Sequence, residues 1–146
     1  MEKVLFVDID GVLNSSRAML SCREFDDRTC PPFRIPPTGD TVGARLINRA
    51  ARETGARLVV ASTWLGTVGP DYTMDWLDRV GIDPALYHSD PNVRYGPDGR
   101  KDRAILDWLH GTDLSPEHIV IVDDDRSLFA GVPQLKRRLV AVPEDD

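Results

Sequence analysis

Two aspartates one residue apart, Asp8 and Asp10, stand at the end of the apolar, β-prone run Val4-Leu5-Phe6-Val7. In an extended chain residues i and i+2 share a face. Both carboxylates therefore face one pocket, provided the strand opens at Gly11 rather than continuing. Carboxylates brought close together repel, so a cation or a shared proton must offset the repulsion. A hard divalent ion such as Mg2+ suits oxygen ligands of this kind. Three more groups fit the same chemistry. Ser62 and Thr63 follow the apolar run Leu58-Val59-Val60-Ala61, Lys101 opens a helical pattern, and Asp123-Asp124-Asp125 follow Ile119-Val120-Ile121-Val122.

Together these residues suit phosphoryl transfer. A carboxylate can attack phosphorus and split hydrolysis into formation and breakdown of an acyl phosphate. A divalent cation screens the repulsion between that carboxylate and the phosphate. A hydroxyl, backbone N–H groups and a lysine can hold the remaining oxygens, and a second carboxylate can protonate the leaving oxygen and then activate water.

The elements that must position these groups alternate. Strands are expected at residues 3–9, 57–61, 85–88, 118–122 and 138–142, and helices at 40–54, 72–80 and 101–110, with a short helix near Leu128. Gly55, Gly81 and Gly111 stand as helix stops. In the first helix Leu46, Ile47, Ala50 and Ala51 are read as the apolar stripe, and in the third Ala104, Ile105, Trp108 and Leu109. Alternation of strand and helix implies an α/β fold, a three-layer Rossmann-like parallel sheet with helices on both faces. In such a sheet ligands bind outside the carboxyl ends of the strands, where all the polar groups above fall.

Length and charge narrow the classes. At 146 residues the chain is expected to form a single domain, residues 1–146, with a core that needs no staples. No apolar run approaches the length of a bilayer span and no signal-peptide pattern is present, so a cytoplasmic protein without membrane partners is expected. The net charge of −6 disfavours broad nucleic-acid binding, which relies on many basic contacts. A nucleic-acid end stays possible although that charge does not favour it, and Lys136-Arg137-Arg138 reads as a solvated approach to the last strand. Cys22 and Cys30 lie in a polar, proline-rich stretch and read as free thiols.

The run Asp8-Ile9-Asp10-Gly11-Val12-Leu13, Ser62 after its apolar strand, Lys101, and Asp123-Asp124 resemble, in order, the four motifs of the haloacid dehalogenase (HAD) superfamily. The resemblance spans nearly the whole chain. It implies that Asp8 is the nucleophile and a metal ligand, and that Asp10 is the general acid/base with its backbone carbonyl on Mg2+. Ser62 would bind the phosphoryl oxygens, Lys101 would stabilise charge, Asp123 would ligate the metal, and Asp124 would support it directly or through water. An aspartate at position 10 favours the superfamily's phosphatases over its dehalogenases. The run Ser62-Thr63-Trp64, with Gly11-Val12-Leu13-Asn14, also looks like a small subgroup sometimes fused to RNA-repair modules.

Some positions stay open on the residues alone. Thr63 can replace Ser62 as the phosphate-binding hydroxyl, because a one-residue slip changes the facing side chain. Asp125 can cap the next short helix instead of binding metal. Arg100 and Arg103 read as helix surface, and Trp64, Trp76 and Trp108 as core or lid packing. Residues 15–40 are expected to form a short loop or mini-cap, which, if it folds over the site, brings Arg17, Arg23, Arg28 or Arg34 to its polar end and suits a small substrate. That insertion is too small for a full cap domain. An open site suits a phosphorylated macromolecule, either a nucleic-acid end or a phosphoprotein, or else a small phosphate monoester. A monomer or weak dimer is expected. The alternatives are a non-enzymatic switch phosphorylated on aspartate and a phosphotransferase to an acceptor other than water.

Overall fold

The computed structural model describes residues 1–14 and 40–143, and the expectations for the mini-cap, its arginines, Cys22 and Cys30 lie outside them. Five strands, β1 (Val4–Val7), β2 (Arg57–Val60), β3 (Tyr87–Asn92), β4 (Ile119–Asp123) and β5 (Leu139–Ala141), form one parallel sheet in the order β3-β2-β1-β4-β5. The described helices are α1 (Thr41–Thr54), α2 (Trp64–Thr67), α3 (Pro70–Val80), α4 (Lys101–His110) and α5 (Pro133–Lys136). From β1 the chain builds outward through β2 and β3, then returns to place β4 on the other side of β1. That reversal opens a crevice at the carboxyl ends of β1 and β4.

Strand alternation assigns the core. Leu5, Val7, Leu58 and Val60 pack with Ala44, Ile47 and Ala51 of α1 and Trp76, Leu77 and Val80 of α3. Val4, Phe6 and Val59 face the opposite way, against Ala104, Ile105, Trp108 and Leu109 of α4. Both faces of the central strand are dry, which is why β1 reads as an unbroken apolar run. No described helix is long and apolar enough to cross a membrane.

The α1 stripe differs from the expected one. Ala44, Ile47, Asn48 and Ala51 are buried, whereas Ala50 is exposed and Leu46 is 61% exposed. Asn48 occupies a core position because its amide donates to the Gly81 carbonyl (2.7 Å) and accepts from the Asp83 N–H (3.0 Å), tying α1 to the end of α3. The third strand lies later than residues 85–88 because Pro84–Leu86 form a 3₁₀ turn capped by Asp83. Pro91 is accommodated since β3 is an edge strand. α2 and α5, four residues each, are too short to show a helical period in the sequence.

Candidate active site

Alternation along β1 and β4 brings three of the expected groups together. Asp8 continues the face of Val4 and Phe6, and Asp123 that of Ile119 and Ile121, so both carboxylates point to the side covered by α4. The parallel register pairs Val7 with Val122, and the Asp8 N–H donates to the Val122 carbonyl at 3.1 Å, setting Asp8 beside Asp123. α4 begins at Lys101. Its ammonium lies 3.0 Å from Asp8 Oδ1 and 2.7 Å from Asp123 Oδ2. All three side chains are buried.

Burial in this crevice is costly for charge. It pushes Asp8 up from 3.8 to about 7, with Lys101 pulling the value down and Asp123 adding to the rise. For Lys101 burial works against the charge, yet the two carboxylates outweigh it and hold the ammonium above its ordinary range. Asp124 is raised by burial and by the adjoining Asp123 carboxylate. Carboxylate oxygens of Asp8, Asp123 and Asp124 lie within 4.8 Å of one another. One lysine facing three acids leaves a negative excess, and an all-oxygen donor set of that charge fits a hard divalent cation. The residues therefore fit the Mg2+ expected for the site.

The strand does open at Gly11. Its φ of +78° lies in the left-handed region, and a Cβ there would sit 2.0 Å from Asp124 Oδ2. Glycine is required twice over, for backbone freedom and for the close approach of Asp124. The turn that follows is tight: the Ile9 carbonyl accepts from the N–H groups of Val12, Leu13 and Asn14. This turn carries Asp10 out of the buried cluster to an exposed position. There Asp10 accepts from Asn14 Nδ2 and from the Trp64 indole N–H, each at 3.0 Å. Its carboxylate is thus separate from the Asp8–Asp123–Asp124 group, and for Asp10 the resemblance invoked only the backbone carbonyl as a metal ligand.

Ser62 and Thr63 differ in exposure. Ser62 is buried and its Oγ accepts from the Trp64 N–H at 3.2 Å, whereas Thr63 is exposed at the start of α2. Asp125 caps the next 3₁₀ turn, Arg126–Phe129, accepting from the Ser127 N–H at 2.9 Å. Arg103 is exposed, as read from the sequence. Arg100 is exposed as well and also pairs with the buried Asp102, Nη2 to Oδ2 at 2.7 Å and Nε to Oδ1 at 3.2 Å.

Two residues at the site carried no functional expectation. Trp64 packs as expected, edge-on to Trp76 with centroids 4.8 Å apart, but it also orients Asp10. Nothing in the sequence separates such a tryptophan from one used only for packing. Asn14 had a signal, its place four residues after Asp10 beyond a glycine turn.

A family model described as "HAD domain in Swiss Army Knife RNA repair proteins" matches residues 4–145. No curated protein and no solved structure matches the chain.

Proposed function

The chain belongs to the HAD superfamily, and from that membership we propose that it is a Mg2+-dependent phosphohydrolase that acts through an aspartyl-phosphate on Asp8. The observation that carries the reading is the buried Asp8–Lys101–Asp123 arrangement, with Asp10 held separately by Trp64 and Asn14. A carboxylate oxygen of Asp8 attacks the phosphorus while the bond to the leaving oxygen breaks, and Asp10 gives that oxygen its proton. Asp10 then takes a proton from water as the water oxygen attacks the acyl phosphate. This releases inorganic phosphate and restores Asp8. Lys101 stays protonated throughout and opposes the charge of Asp8 and of the phosphoryl oxygens. Ser62, or Thr63 beside it, holds a phosphoryl oxygen.

Asp8, Asp123 and Asp124 would hold the Mg2+, with the Asp10 carbonyl. Bound there, the ion offsets the negative charge shared by the carboxylates and the phosphate. The substrate class we assign is a phosphorylated RNA end, supported by the RNA-repair setting of the family. Reading one end at one site needs few basic contacts, so the net charge of −6 weighs less against it than against broad binding. Residues 15–40 would act as a short mini-cap on a single domain.

The test is Mg2+-dependent phosphate release from 3′- and 5′-phosphorylated oligoribonucleotides, a phosphopeptide and an aryl phosphate, with EDTA and Asp8→Asn as controls. Release from the RNA ends that both controls abolish is expected. A persistent phosphoryl group on Asp8 without release would instead favour the switch or the transferase.

A further inference from the structure

A second concavity opens beside the crevice. It has a volume of about 350 Å3 and lies between α2 with the start of α3 on one side and the end of β3 with the segment after it on the other. Two contacts fix its place. The Val93 N–H donates to the Val60 carbonyl (3.1 Å), and the Leu65 N–H to the Ser62 carbonyl (3.2 Å). The cleft therefore begins where the phosphate-binding hydroxyls end. Tyr95 on its wall feels the charges of Lys101, Asp8 and Asp123.

The lining is mixed in an informative way. Leu65, Pro70, Val93 and the Tyr95 ring supply apolar surface. Asn92 Oδ1 and the Tyr95 hydroxyl are buried with no hydrogen-bond partner among the described residues. Asp90 is exposed on the same wall. Its carboxylate disfavours a second phosphate inside the cleft but accepts from sugar hydroxyls. Arg94 is exposed on the lining and makes no ion pair among the described residues.

We propose that this cleft binds the terminal nucleoside of the phosphorylated RNA end. The base lies against the Tyr95 ring, the sugar hydroxyls face Asp90, and Arg94 meets the next phosphate of the chain. The volume falls at the small end of ligand pockets, as one nucleoside requires, and base–aromatic stacking tolerates any base. The proposal rests on the phosphohydrolase reading but concerns a different set of residues.

Gly66 and Arg94 test it. Gly66 lines the cleft, has no positive φ, and a Cβ there meets nothing within 4 Å, so Gly66→Trp fills the cleft without backbone strain. Arg94→Ala changes an exposed side chain and keeps the fold under test if the tryptophan variant does not fold. We compare kcat/KM for a phosphorylated oligoribonucleotide, a phosphopeptide and acetyl phosphate, which carries no nucleoside. The ratio of oligonucleotide to acetyl phosphate should fall about tenfold or more in each variant. An unchanged ratio overturns the cleft assignment while leaving the phosphohydrolase reading intact, and so does an equal fall for the phosphopeptide. If the wild type turns over none of the three, the phosphohydrolase reading fails by itself. Equilibrium dialysis of adenosine 3′,5′-bisphosphate, which carries the second phosphate that Arg94 would meet, then decides: binding weakened in Gly66→Trp and Arg94→Ala supports the cleft, and no binding, or binding unaltered by them, overturns it.

Discussion

Asp8→Asn should make the metal-free protein more stable, in addition to removing its turnover. Asp8 is 6% exposed, and burial moves its carboxyl from 3.8 to about 7. The folded state therefore binds a proton between those values that the unfolded chain has already released. Stability from this group falls as pH rises from about 4 to about 7, and stays at its lowest above that. The full difference corresponds to about 4 kcal/mol. Relaxation and water entry reduce the realised part, so a gain of about 2–4 kcal/mol is expected for the neutral amide at pH 8. For a chain of this length that is roughly 5–15 °C in Tm. Asparagine keeps the volume, and its amide oxygen can still accept from Lys101. The assay is thermal unfolding of both proteins in EDTA from pH 4.5 to 8.5, repeated with Mg2+. The wild type should lose stability toward high pH and regain it with Mg2+, while the variant should show a flatter profile and a smaller response to the metal. Equal Tm values at pH 8 in EDTA would refute the argument that the site holds Asp8 at a cost in stability.

Other outcomes follow from single contacts. Gly11→Ala should cost about 1–2 kcal/mol for the left-handed backbone alone, and should also weaken Mg2+ binding by displacing Asp124, read by denaturation and by metal titration. Trp64→Phe keeps the ring against Trp76 but removes the N–H that Asp10 accepts. A fall in kcat of roughly tenfold is expected from the lost hydrogen bond to a charged group, and an unchanged kcat would remove Trp64 from the site. Asp102→Ala should destabilise by about 1–3 kcal/mol through the lost pairing with Arg100. Burial raises Asp102, but the Arg100 hydrogen bonds and the Arg103 N–H outweigh it and leave it below the usual carboxylate range. Its contribution is therefore present above the unfolded value and lost as pH falls through the folded one, so the variant's stability should decline less steeply in acid.

The sequence by itself determined the parallel α/β fold, because runs buried on both faces and glycine-stopped helices leave few other packings. It also determined which residues stand at the strand ends. α4 runs over Lys101–His110 as expected, with Ala104, Ile105, Trp108 and Leu109 all buried. The α1 stripe was misread at Leu46 and Ala50 because two hydrogen bonds to the turn after α3 make Asn48 a core residue. Periodicity registers apolarity, and a polar group paired across 35 positions in the chain is invisible to it. The separation of Asp8 from Asp10 belongs to tertiary structure as well. Spacing placed them on one face, whereas the turn at Gly11 sends one into the buried Lys101–Asp123 cluster and the other to Trp64. Residues 54 apart meet there only because β1 and β2 lie side by side. The cleft likewise exists only once the end of β3 and the segment after it lie beside α2 and the start of α3.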